Sequence, residues 1–111
     1  MSKKSSGLLV LGLGLALLGP AAWAVDEDAA VALAKASKCT KCHSADKKKD
    51  GPAYKETAEK YKGKADAVDK LYAHLTTEPM IKVDGKEEKH SAVKSSNEAD
   101  IKNLVAYILS R

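Results

Sequence analysis

Apolar and polar positions follow two regimes along this chain. From Leu8 to Leu18 the residues are apolar without interruption. Beyond Val25 the apolar positions are spaced singly among charges, mostly at intervals of three and four. The strongest such stripe is the last: Ile101, Leu104, Val105, Ile108 and Leu109 mark one face of a helix. Ser95 and Glu98 stand before it at capping-box spacing. Lys64 to Leu75 predicts another helix, with Val68, Leu71, Tyr72 and Leu75 on its buried face, and Ala53 to Lys62 a third, with Tyr54, Ala58 and Tyr61 inward and Gly63 as its stop. Ala29 to Ser37 is alanine-rich, with Val31 and Leu33 as its larger apolar residues. Asp26 is placed to cap it, and Glu27 and Asp28 suit the positive end of the helix dipole. Residues 44–52 form a polar loop closed by Gly51-Pro52. Residues 76–96 hold Pro79, Gly85 and many charges without a sustained period, and predict a long loop. The expected fold class is all-α, with about four helices.

The uninterrupted run changes the picture of the first residues. Lys3 and Lys4 precede it, Pro20 breaks it, and Ala22-Trp23-Ala24 resembles an A-x-A cleavage site. Residues 1–24 are therefore expected to be a cleaved secretory signal peptide, since the run is short for a membrane span. The mature domain, 25–111, is small and has a modest core. The chain has no Phe, and its four tyrosines, Tyr54, Tyr61, Tyr72 and Tyr107, all lie in the mature part. Cleavage also lowers the net charge of +4 by the two leader lysines, which leaves little basicity for nucleic-acid binding; no Arg-rich run or interleaved aromatics argue for it either. No acid–base pair or nucleophile arrangement points to an enzyme.

Candidate chemistry concentrates at Cys39-Thr40-Lys41-Cys42-His43, which contains both cysteines of the chain. C-x-x-C-H is the attachment signature of c-type haem: two thiols add to the vinyl groups and the next imidazole binds the iron. A thioredoxin-like pair would want a βαβ context, and a zinc site would want two further ligands; only His74 and His90 remain as distant histidines. Covalent haem is attached outside the cytoplasm, so the motif and the export signal support each other, and a periplasmic location is expected. A bound haem would also supply the apolar bulk that the small chain lacks.

Cys39, Cys42 and His43, followed by Gly51-Pro52-Ala53-Tyr54-Lys55 and by Leu104-Val105-Ala106-Tyr107-Ile108-Leu109, resemble a class I c-type cytochrome in its small bacterial form. The resemblance spans the whole mature chain. It implies the cytochrome c fold, helices wrapped around one covalently attached haem c, with the first and last helices crossing and Tyr107 packed in their contact. It implies that the Pro52 carbonyl holds Nδ1–H of the proximal ligand His43, and that Pro52 and Tyr54 line the haem pocket. It also implies a distal methionine in the loop before the last helix, and here the chain departs from the pattern. Met80, after Pro79, lies further from the C-terminus than the family places that ligand, whereas His90 lies about where it is expected. His90 is the preferred distal ligand and Met80 the alternative. His74, within the third helix, is expected to be exposed.

The expected function is that of a carrier of single electrons between redox proteins. Lys38, Lys41, Lys47, Lys48 and Lys49 flank the motif and are candidates for steering an acidic partner, although a lysine run is also simply a solvated loop. The alternative is a haem-based module that binds or senses NO or CO through a displaceable distal ligand, alone or as a subunit of a dimer or larger complex.

Overall fold

The computed structural model describes residues 24–111. All of the expected signal peptide except Ala24 lies outside the described residues. Among the described residues, no helix is long and apolar enough to cross a membrane. Four helices follow in order: α1 Glu27–Ala36, α2 Tyr54–Tyr61, α3 Ala67–Thr76 and α4 Glu98–Leu109. A single 3₁₀ turn, Cys39–Lys41, follows α1, and a two-stranded hairpin, β1 Met80–Val83 and β2 Lys86–Lys89, separates α3 from α4.

Helix α1 begins where its sequence predicts. The Asp26 carboxylate accepts from the Ala29 amide at 3.0 Å, and Glu27 and Asp28 occupy the first turn. Its buried face consists of Ala30 and Ala34, one turn apart, while Val31 and Leu33 are only half-buried. Small side chains on this face allow α1 to lie close against α4, whose Ile101, Leu104 and Val105 are the largest fully buried side chains. Removing a wholly buried leucine such as Leu104 costs about 2–5 kcal/mol. The crossing is tied at both ends. The Asp26 amide donates to the Asn103 side-chain oxygen at 2.9 Å, and the Asn103 amide donates back to the Asp26 carbonyl at 2.8 Å. The Arg111 guanidinium pairs with Glu27 at 2.6 Å and lies 4.6 Å over the Tyr107 ring.

Three local expectations are corrected. The cap of α4 is Asn97, whose side chain accepts from the Asp100 amide at 3.1 Å; Ser95 instead accepts from the Asn97 amide. In α3 the inward residues are Ala67, Leu71 and Leu75, at intervals of four on one face, while Val68, one position round from Ala67, is 43% exposed. Residues 76–96 are not an irregular loop. Met80 pairs with Lys89 and Val83 with Lys86 in antiparallel register, around a turn in which Asp84 (φ 51°) and Gly85 (φ 78°) are both left-handed. Asp-Gly is the residue pair that such a two-residue turn demands.

Candidate haem-binding site

The attachment motif is built by one tight turn. Lys38 adopts a left-handed backbone (φ 60°), which ends α1 and swings the chain round. The Cys42 amide then donates to the Cys39 carbonyl at 3.2 Å and the His43 amide to the same carbonyl at 2.9 Å. Cys39, Cys42 and His43 thus occupy consecutive corners of one helical turn, with both thiols half-buried and unpaired. Burial pushes the Cys39 thiol up, its backbone hydrogen bond opposes this, and the neighbouring Cys42 adds to the rise. A redox dithiol has the opposite setting, with its attacking thiol lowered.

The loop after the motif folds back to hold His43. The Gly51 amide donates to the Cys42 carbonyl at 2.8 Å, and the Tyr54 amide to the Ser44 carbonyl at 2.9 Å. The His43 Nδ1–H donates to the Pro52 carbonyl at 2.7 Å, which fixes the tautomer and leaves the Nε2 lone pair free. Gly51 is required by proximity: a Cβ there would stand 2.5 Å from His43 Cε1. Tyr54 stacks on His43, with ring centres 5.6 Å apart and 22° between planes, and meets Tyr107 edge-on at 6.1 Å. Burial, then the Cys39 thiol, then Tyr107 push the Tyr54 phenol well above the usual tyrosine range. The lysine loop is joined to this structure as well, because Lys49 Nζ donates to the Thr40 carbonyl at 2.7 Å.

The ring of His90 comes near that of His43, with ring centres 6.2 Å apart and 48° between planes. Two metal–imidazole bonds of about 2 Å each, with a ring radius at either end, span roughly 6 Å. His90 Nδ1 is buried without a hydrogen-bond partner, as a nitrogen that awaits a different partner would be. Burial first, and then His43, push the His90 imidazole down, partly offset by the Ser91 backbone. The segment that carries it is held by three backbone donors: His90 to the Pro79 carbonyl at 2.8 Å, Val93 to the Leu75 carbonyl at 3.0 Å, and Lys94 to the buried Ser37 hydroxyl at 2.9 Å.

Met80, by contrast, is 58% exposed at the start of β1. His74 corrects an expectation. It is half-buried, not exposed, and its ring centre lies 4.3 Å from that of His90. Burial, and then His90 and His43, push its imidazole down. The signal was present in the sequence, since Leu71, His74 and Leu75 share one helix face at spacings of three and four.

The thiols at attachment spacing, the tautomer-locked imidazole, the glycine close against it and the orphaned nitrogen nearby together fit a covalently bound haem. This is the site of a haem protein of the c type. The chain belongs to the cytochrome c family: that family's model matches residues 28–111. Its cofactor, covalent haem c with iron, corresponds here to the C-x-x-C-H motif of Cys39, Cys42 and His43, one motif per chain. The chain is similar to the class 1 cytochrome MtoD from Sideroxydans lithotrophicus ES-1, with 53% identity, a TM-score of 0.75, and coverage of 78% of this chain and 97% of that one. It is similar also to Nitrosomonas europaea cytochrome c552, at 30% identity and TM-score 0.57 over 72% of this chain and 96% of the other. Among curated proteins, cytochrome c-551 of Allochromatium vinosum is 51% identical over 43 residues, 39% of this chain, and cytochrome c-552 of Hydrogenobacter thermophilus is 54% identical over 39 residues, 35% of this chain. The matches span 46% and 40% of those two relatives' lengths. The expected all-α cytochrome c fold is thus present, with the hairpin added to it.

Proposed function

We propose that this protein is an exported, periplasmic carrier of single electrons, with His43 and His90 as the axial ligands of its haem. Haem iron supplies a one-electron ferric–ferrous couple whose potential follows its axial ligands. The observation that carries the reading is the 6.2 Å separation of the His43 and His90 rings. The protein's own groups perform three tasks. Pro52 orients His43 and, by accepting its Nδ1–H, strengthens it as a donor. Tyr54 and Tyr107, both buried, keep water from the proximal side. The three backbone bonds around His90, Val93 and Lys94 keep the distal imidazole in place. A ligand set fixed on both faces changes little between oxidation states, which suits electron transfer. No observation supports the gas-binding alternative.

Lys38, Lys41, Lys47 and Lys48 are exposed around the motif and would steer an acidic redox partner. Protein-film voltammetry tests the carrier reading. A reversible one-electron wave, at a potential low for a cytochrome c, is expected. A ferrous protein that takes up CO rapidly at neutral pH would overturn it. Sequencing the N-terminus of the protein purified from the periplasm should begin at Val25.

A further inference from the structure

A second imidazole stands beside that of His90. The His74 ring centre lies 4.3 Å from that of His90, with 54° between their planes. This pairing is imposed by the chain. His74 occupies the last turns of α3, and the adjacent Leu75 offers its carbonyl to Val93 of the distal segment at 3.0 Å. The start of that segment is fixed by the bond from the His90 amide to the Pro79 carbonyl at 2.8 Å. Neither bond uses the His90 side chain, so the backbone that brings α3 to the distal face does not depend on that imidazole.

We propose that His74 is the reserve axial ligand of this site, and that its imidazole takes the place of His90 whenever His90 is removed or displaced. The proposal rests on the reading of His90 as distal ligand. Reach supports it: a change of one staggered χ1 well moves a histidine ring centre by about 4 Å, and the two rings are 4.3 Å apart. Chemistry supports it too, since the replacement is another neutral imidazole donor of equal strength. The thioether of the same segment, Met80, lies 58% exposed on the hairpin. A site with a second imidazole beside the first stays closed to external ligands when the first is lost.

The test compares ferric holoproteins carrying His74→Ala, His90→Ala and both, by near-infrared magnetic circular dichroism and electron paramagnetic resonance at neutral pH. Both single variants are expected to remain low-spin with two imidazole ligands, and only the double variant to lose that signature. A high-spin or His/Met His90→Ala protein, beside a His/His His74→Ala protein, would overturn the reserve role and leave His90 as the ligand. A His74→Ala protein that loses the His/His signature while His90→Ala keeps it would overturn the assignment of His90 itself. If His90→Ala does not fold, by far-ultraviolet circular dichroism, His90→Leu keeps the side-chain volume without a donor and is read in the same way.

Discussion

The two faces of this haem site are made by different means. On the proximal face everything is local: His43 and the Pro52 carbonyl that holds it are nine residues apart, and Gly51 lies between them. The distal face is assembled at long range. Lys94 and the Ser37 hydroxyl that receives its amide are 57 residues apart, and His90, the proposed distal ligand, lies at the exit of a hairpin. One face is a motif and the other is a consequence of the fold. The difference shows in how readily each can be broken.

The largest effect is expected on the proximal side. Replacing both Cys39 and Cys42 by Ala removes the only thiols, and haem staining after denaturing electrophoresis should fall to background; retention of covalent haem would refute the attachment assignment. Gly51→Ala comes next. Its Cβ would meet the His43 ring at 2.5 Å, and that ring cannot swing away without leaving the Pro52 carbonyl. A loss of about 1–3 kcal/mol is expected in chemical denaturation of the holoprotein. On the distal side, Ser37→Ala removes the acceptor of the Lys94 amide, at a cost of about 1 kcal/mol, read by denaturation and by faster hydrogen exchange at Lys94. The smallest effect sharpens the contrast within the distal face: Met80→Leu, at an exposed strand position, should leave the ligand-sensitive absorption bands unchanged.

The same contrast governs what was legible in the sequence. Cys39, Cys42 and His43 were legible from their spacing, and the places of Pro52 and Tyr54 beside them were implied by the family resemblance. The stripe of α4 was equally plain, since five apolar residues at helical intervals have one buried solution. The hairpin was hidden because charges at Lys82 and Lys86 to Lys89 mask any alternation, although Asp84-Gly85 announced its turn. The face of α1 was not assigned from the sequence, because its larger apolar residues, Val31 and Leu33, do not mark it; close helix packing selects Ala30 and Ala34. The burial of His74 was signalled by the face it shares with Leu71 and Leu75, but its contact with His90 is made across the fold, and no local pattern states that contact. Long-range placement is a property of the packed chain, and the distal face depends on it almost entirely.

Near-infrared magnetic circular dichroism of the unaltered ferric holoprotein tests the central claim most directly, because the position of its charge-transfer band separates His/His from His/Met coordination. A His/His band is predicted from the opposed His43 and His90 rings. A His/Met band would contradict that ligand set and make Met80, exposed here on the hairpin, the distal ligand.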